Sequence, residues 1–245
     1  MSTSRPWTVG ISLEPPHWYR HGSRSDATPV LLHQGFLVES NSVWFKWGVA
    51  DALGASGRQA LLIRSHALHK VSRAHALGHD TALLLAEMLA IIVDQSGEQE
   101  IDVVATADGT VPALIFAMND SRLRRLVLLD PSLENATLHS GLLHTEEPPG
   151  PTIAELDLGL PCDHVGFDPV RPAPEVLQHL DWVLAPTLVL TGVNHRHDAT
   201  RLMTALPRAT LDTTETSLAL FDPRSAGSIA WFLAGATQRH LGGRS

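Results

Sequence analysis

Histidine is the residue type whose chemistry stands out in this sequence. The 245-residue chain has fourteen His, against one Cys and one Tyr. Histidine is the side chain that most readily exchanges protons near neutral pH, and its neutral ring is a common metal ligand. The excess of His therefore points to acid/base or metal chemistry, provided that some of these residues lie where a site can use them.

Metal binding is the weaker of these two alternatives. His66 and His69 are three residues apart and could form a cluster with His33, but this spacing alone is a weak signal. The sequence has no helical His-Glu-x-x-His pattern. Cys162 is the single cysteine, so neither a cysteine metal cage nor an internal disulfide can form. We predict no metal site, and the lone cysteine fits a reducing, cytoplasmic compartment.

Composition and charge exclude several classes of protein. Hydrophobic residues make up 44% of the chain and charged residues 18%, which is typical of a folded globular protein. The net charge is −8, without the basic patch that a nucleic acid or a lipid surface needs. The longest apolar run, 81–93, is too short to span a bilayer, and residues 1–10 show no signal peptide. We expect neither a nucleic acid nor a membrane as a partner.

Strand and helix patterns alternate along the chain. Short apolar or alternating runs predict strands at 7–13, 17–20, 29–33, 59–64, 101–105, 123–129, 187–191 and 210–214. Longer runs with helical spacing predict helices at 43–53, 81–95, 111–118, 199–206 and 225–241. This alternation is typical of an α/β protein with a mostly parallel sheet covered on both faces. The length predicts one domain, 1–245, and the proline-rich stretch 132–183 predicts an excursion over the sheet.

Several segments together resemble the α/β-hydrolase superfamily, in the compact, short-capped form of bacterial esterases and lactonases. Pro29–Leu37 is similar to the strand that ends in a His-Gly-aromatic turn, and Leu62–Ser72 to the loop that usually reads Asp-x-x-Gly-His-Gly-x-Ser. Val103–Ala113 resembles the strand, turn and helix of the nucleophile elbow. Arg124–Pro131 and Ala185–Gly192 match the sixth strand and the strand before the acid loop. The resemblance implies an eight-stranded, mostly parallel sheet with a small cap.

The same alignment leaves the three positions of the serine-hydrolase triad vacant. The Gly-x-Ser-x-Gly elbow aligns with 105–109, where the nucleophile position is Ala107 and carries no hydroxyl. Asn194 stands in the stretch that normally holds the acid, and Ser217 in the region that normally holds the histidine. Gln34 replaces the His of the His-Gly turn. Acyl transfer needs a nucleophile, a base and a group that orients the base. The resemblance therefore implies the fold without its usual hydrolytic chemistry.

The turn that binds an oxyanion in this family is retained in outline. The resemblance places Gln34, Phe36 and Leu37 in that turn. It places Trp44 in the helix that follows, where the indole either lines the cleft or packs in the core. The backbone N–H groups of Phe36 and Asp108 can stabilise an enolate or another oxyanion, because backbone donors need no particular side chain. A loop that merely keeps its shape is the alternative.

Asp108, Asp130 and His195 are the remaining acid/base candidates. In this fold Asp130 and His195 follow neighbouring strands, so they can form a dyad that acts as a general base. A register slip of one residue would make Asp108 a nucleophile, as in haloalkane dehalogenases and epoxide hydrolases. Each residue also has a structural interpretation: Asp108 starts a helix, Asp130 forms an Asp-Pro turn, and His195 lies in a solvated loop.

Three hypotheses from different classes are open at this point. The first is a cofactor-free enzyme that carries out proton transfer, elimination, cyclisation or rearrangement on a small hydrophobic carbonyl compound, such as a polyketide-like metabolite, with Asp108, Asp130 and His195 as its acid/base groups. The second is a binding or interaction protein on an inactive hydrolase scaffold. The third is a hydrolase that uses Asp108 as a nucleophile on an epoxide or halide. We expect a small hydrophobic ligand and no cofactor, and the oligomeric state, including a homodimer, is open.

Overall fold

The chain folds into alternating strands and helices, as a computed structural model shows for residues 18–23, 25–34, 42–63, 81–133 and 178–235. The strands are β1 (Trp18–His21), β2 (Val30–His33), β3 (Ala60–Ile63), β4 (Ile101–Thr106), β5 (Leu123–Leu129), β6 (Thr187–Thr191) and β7 (Ala209–Thr213). The helices are α1 (Ser42–Lys46), α2 (Val49–Ala55), α3 (Thr81–Ser96), α4 (Thr110–Asn119), α5 (Arg196–Ala205) and α6 (Pro223–Leu233).

The strands form one sheet in the order β1-β3-β2-β4-β5-β6-β7. β1 pairs antiparallel with β3, and the other neighbouring pairs are parallel. The carboxyl ends of the parallel strands therefore meet at one edge of the sheet, which is where loops bind ligands in such folds. The predicted α/β class with a mostly parallel sheet is confirmed. The additional strand predicted at 7–13, and residues 134–177 of the predicted cap, lie outside the described residues.

Apolar side chains pack against both faces of the sheet. The alternation of the strands sends Leu31, Val103 and Ala105 to the face covered by α3, α4 and α5. Leu32 and Val104 go to the opposite face, which is covered by α1, α2 and α6. Every position of β2 and β4 is buried, as expected for inner strands of a sheet with helices on both faces. Across the described ranges, no helix combines the length and apolar character needed to cross a bilayer.

Two helices end earlier than the apolar spacing predicts. The helix predicted over 43–53 is divided into α1 and α2 by Gly48, whose φ of 72° lies in the left-handed region. The helix predicted over 225–241 ends at Leu233, and Gly235 follows with a φ of 89°. In both places a glycine takes a conformation that stops a helix, and the hydrophobic period cannot show this.

A buried cluster of charges joins α6 to the amino-terminal end of the sheet. Asp102, near the start of β4, is fully buried and accepts hydrogen bonds from Arg58 Nη1 at 2.7 Å and from Arg124 Nε at 2.9 Å. Arg58 and Arg124 also donate to the backbone oxygen of Leu233, the last residue of α6. Cations are favourable at a helix carboxyl terminus. The cluster lies at the opposite end of β4 from the candidate site, so we assign it to structure.

Candidate functional site

A tight turn connects β4 to α4 and has Ala107 at its centre. Ala107 has a φ of 48°, which lies in the left-handed region that non-glycine residues rarely adopt. Thr110 Oγ1 donates to the Ala107 carbonyl oxygen at 2.6 Å, and the Ser132 N–H donates to the same oxygen at 3.3 Å. The Ser132 N–H also contacts Thr110 Oγ1 at 3.2 Å. The turn is thus held by its own helix and by the loop that follows β5.

The carboxyl end of β5 is held by an unusual aspartate. Asp130 has a φ of 45° and is 2% exposed. Its Oδ1 accepts hydrogen bonds from the N–H groups of Gly192 and Ala219, both at 2.8 Å, and its Oδ2 accepts one from the Leu220 N–H at 2.9 Å. A single carboxylate therefore joins the ends of β5 and β6 and the 3-10 turn that follows β7.

Asp130 and His195 interact electrostatically. Burial raises the pKa of the Asp130 carboxyl, whereas its three backbone hydrogen bonds and the nearby His195 act in the opposite direction. His195 is 7% exposed and ends a short 3-10 turn directly before α5, so it does not lie in the solvated loop that its structural interpretation expects. Its exposed neighbour is His197.

The loop after β6 and the loop after β7 lie against each other. The Val193 N–H donates to the Thr216 carbonyl oxygen at 3.0 Å, and the Asn194 N–H donates to the Ser217 carbonyl oxygen at 3.3 Å. A Cβ placed on Gly192 would lie 2.4 Å from the Ser217 carbonyl oxygen. The loops thus require glycine at that position, and they bring Asn194 and Ser217 together through backbone contacts.

The last residue of β2, His33, also belongs to this edge of the sheet. His33 is 1% exposed, and burial lowers the pKa of its imidazole to about 4. The ring is therefore neutral at physiological pH. Gln34, the next residue, is 4% exposed. From the sequence, His33 is a candidate only for metal binding. The one sequence feature that indicates its burial is its place at the end of an apolar run.

Most of the other predicted site residues lie outside the described residues. Phe36, Leu37 and the side chain of Asp108 lie outside the described residues, as do His66 and His69. The indole of Trp44 is fully buried among apolar side chains from the sheet and the helices. Within the described part of the chain, no three His, Cys, Asp or Glu side chains are grouped closely enough to hold a metal ion.

Solved structures with this arrangement of strands and helices cover nearly the whole chain. A proline iminopeptidase of Mycobacterium smegmatis superposes with a TM-score of 0.66 at 14% identity, over 92% of this chain and 97% of its own. A carboxylesterase of Bacillus subtilis gives 0.65 at 14% identity, over 94% of each chain. An alpha/beta hydrolase fold protein of Chitinophaga pinensis gives 0.60 at 12% identity, over 89% of this chain and 93% of its own. The chain has the α/β-hydrolase fold.

The α/β-hydrolase fold gives the site its position and does not give it an activity. At these identities the likeness extends to the fold alone, and one fold hosts many chemistries. No protein-family model matches the sequence, and no curated protein sequence matches it. In α/β-hydrolases the strained turn between a strand and the following helix carries the nucleophile. Ala107 occupies a turn of this kind, so the function has to be argued from the groups around it.

Proposed function

We propose that the protein is a cofactor-free enzyme that moves a proton on a small hydrophobic carbonyl compound. The outcome is proton transfer, elimination, cyclisation or rearrangement rather than ester hydrolysis. The observation that carries the proposal is the left-handed turn at Ala107. In hydrolases of this fold the turn presents a nucleophilic side chain, and the N–H of the next residue binds an oxyanion. With alanine at the turn, the backbone donor remains and the nucleophile does not.

The strain of the turn supports a role for its backbone. Holding an alanine in the left-handed conformation costs about 1–2 kcal/mol, and a methyl group has no chemistry to present. A backbone N–H aimed at a developing negative charge is effective with any side chain at the turn. An enolate oxygen carries such a charge. Retention of the turn is therefore explained if the Asp108 N–H binds the oxygen of an enolate.

His195 is the base in this proposal. It takes a proton from the carbon next to the carbonyl group, the C–H electron pair forms the C=C bond of the enolate, and the C=O π pair moves onto the oxygen. Asp130 already accepts three backbone hydrogen bonds, so we assign it to holding the His195 loop and to stabilising the imidazolium. The protonated Asp108 carboxyl is the group proposed to give a proton back to the ligand, and exchange with water then removes the proton from His195 and restores that of Asp108.

Exchange of carbon-bound hydrogen with heavy water tests the proposal without knowledge of the natural substrate. A panel of hydrophobic ketones and 1,3-dicarbonyl compounds is incubated with the protein in D₂O, and deuterium incorporation next to the carbonyl is followed by NMR. We expect catalysed exchange for at least one class of compound and no hydrolysis of 4-nitrophenyl esters. His195→Ala should reduce exchange by roughly 100-fold or more, the usual contribution of a general base.

The exposed His197 provides a matched control, because His197→Ala removes a neighbouring imidazole that the proposal does not use. Exchange should be unchanged in this variant. The proposal fails if no compound in the panel exchanges. It also fails if exchange survives in all three of Asp108→Asn, Asp130→Asn and His195→Ala.

A binding protein on an inactive hydrolase scaffold is the second candidate. It is favoured by the state of Asp130, whose two oxygens are engaged by backbone donors, and by the absence of a triad side chain at Asn194 and Ser217. Such a protein would bind members of the same panel without exchanging their hydrogen.

The geometry does not favour a hydrolase that uses Asp108 as its nucleophile, because the left-handed residue is Ala107 and Asp108 follows it. Solvent-oxygen labelling of an Asp108 ester would detect that chemistry.

A further inference from the structure

His33 has an unsatisfied ring nitrogen in a fully buried position. Its Nε2 has no hydrogen-bond partner among the residues that the structure describes, and the residue is 1% exposed. Buried polar groups are nearly always paired, because an unpaired group loses its hydration and gains nothing in return. A buried nitrogen left without a partner therefore needs an explanation, and a ligand that supplies the missing partner is one.

The position of His33 places it beside the Ala107 turn. His33 pairs in register with Ala105 on the neighbouring strand β4. From the spacing and rise of strands, the Cα atoms of His33 and Ala107 lie roughly 8 Å apart at the carboxyl edge of the sheet. Side chains alternate along β2, so His33 lies on the same face as Leu31. That face is covered by α4, the helix that begins just after the Ala107 turn.

A neutral imidazole in this environment has a specific use. Burial keeps the ring of His33 neutral, so it has one N–H donor and is a weak acid. A neutral imidazole near a helix amino terminus can polarise a carbonyl oxygen by donating a hydrogen bond, without giving up its proton. The Asp108 N–H, in the 3-10 turn that leads into α4, lies at the same edge of the sheet. Together these donors suit an oxygen that gains negative charge.

We propose that His33 is a ligand-contacting residue whose Nε2–H donates a hydrogen bond to the carbonyl oxygen, and then to the enolate oxygen, of the compound bound at the Ala107 turn. The inference rests on the proposed function, because it concerns the same bound oxygen. It adds a side-chain donor to the backbone donor of Asp108. It also limits the ligands to compounds that present a hydrogen-bond acceptor oxygen at that position. The ligand does not need a hydroxyl group there.

Binding of 4-nitrophenol tests this inference, since its ionised oxygen resembles an enolate. Affinity is measured from the absorbance of the ionised form for the wild type, His33→Phe and His33→Gln. Loss of a hydrogen bond to a charged oxygen should weaken binding at least about tenfold in His33→Phe. His33→Gln retains a donor and should lose less. Leu31→Val is the matched control, because it alters the same face of β2 without touching a polar group, and it should stay near the wild-type affinity.

A second measurement does not depend on any variant folding. The imidazole nitrogens are labelled with ¹⁵N, and the His33 Nε2 resonance of the wild-type protein should move when 4-nitrophenol is added. An unmoved resonance at saturation overturns the inference, as does full affinity in His33→Phe or failure of the wild type to bind the probe. Deuterium exchange separates the two proposals. If the protein catalyses exchange but His33→Phe binds 4-nitrophenol as tightly as the wild type, only this inference fails. If His33→Phe loses affinity but no compound exchanges, only the proposed function fails.

Discussion

Ala107 and Asp130 are the two non-glycine residues in left-handed backbone conformations within the described part of the chain. They directly follow the adjacent strands β4 and β5, at the edge of the sheet where ligands bind in this fold. Strained residues tend to concentrate at functional sites, because the surrounding structure must hold them there. Thr110 and Ser132 hold Ala107, and three backbone donors hold Asp130. Both strained residues thus belong to one preorganised edge.

His33 gives a prediction about acid stability. Its folded-state pKa is about 4, against 6.5 for an ordinary histidine, so between these values the unfolded chain binds the proton more tightly. Its contribution to stability is therefore complete above pH 6.5 and is lost as the pH falls towards 4, by about 3 kcal/mol in total. Urea unfolding across this range should show a much smaller loss of stability in His33→Gln than in the wild type.

Exposed histidines provide the comparison for that experiment. His197→Gln removes an exposed histidine and leaves His33 in place, so the loss of stability assigned to His33 should be retained in this variant. Equal slopes for the wild type and His33→Gln would show that the imidazole of His33 is able to accept a proton in the folded protein.

The secondary-structure elements show what the sequence can and cannot predict. β5 and β6 have the bounds that the apolar runs predict, 123–129 and 187–191, because strands buried on both faces are nearly continuously apolar. The break at Gly48 is not visible in the hydrophobic period. Motif alignment located the Ala107 turn. It could not show that His33 is buried or that Asp130 binds distant N–H groups, because both depend on contacts between segments far apart in sequence.

The loops after β6 and β7 depend on glycine at position 192. Gly192→Ala would place a Cβ 2.4 Å from the Ser217 carbonyl oxygen, so the loops must separate. We expect a loss of stability of about 2 kcal/mol or more, as for other overpacked sites. Gly227→Ala, inside α6 with open space around it, should instead stabilise the protein by about 1 kcal/mol. The midpoint temperatures of thermal unfolding of the two variants should change in opposite directions. An unchanged midpoint in Gly192→Ala would contradict the close approach of Gly192 to the Ser217 carbonyl oxygen.

Asp130 gives a second prediction about the same loops. Asp130→Ala leaves the buried N–H groups of Gly192, Ala219 and Leu220 without their acceptor, which should cost about 3 kcal/mol or more. Asp130→Asn keeps one oxygen and a side chain that tolerates the left-handed conformation, so it should cost less. Amide hydrogen exchange should accelerate at these three N–H groups before it does elsewhere. Protection that is unchanged in Asp130→Ala would show that other contacts hold the loops.

At the scale of the whole molecule, the two edges of the sheet contain different kinds of contact. The carboxyl edge holds the strained turns and buried polar groups of the candidate site. The amino-terminal edge holds the Arg58–Asp102–Arg124 cluster, which fastens α6 to the sheet. The contacts that fasten α6 therefore lie away from the candidate site.

Removal of Asp102 tests how much this cluster contributes. Asp102→Ala leaves the buried Arg58 and the partly buried Arg124 beside each other without their counter-charge, and breaking such a buried network typically costs about 3–5 kcal/mol. Urea unfolding should show a single transition at a much lower midpoint. Arg224→Ala removes an exposed partner of Asp222 and should leave the midpoint almost unchanged. Comparable effects of the two substitutions would show that burial of Asp102 matters little.

The cluster also imposes an order on synthesis. Arg58 donates to a carbonyl oxygen of Leu233, 175 residues further along the chain. A ribosome therefore releases β2, β4 and β5 long before the helix terminus that completes the charge network exists. Until then Asp102 and its arginines have no covered pocket, and the central strands cannot reach their final burial. The charge network is therefore completed only when the last described helix has emerged.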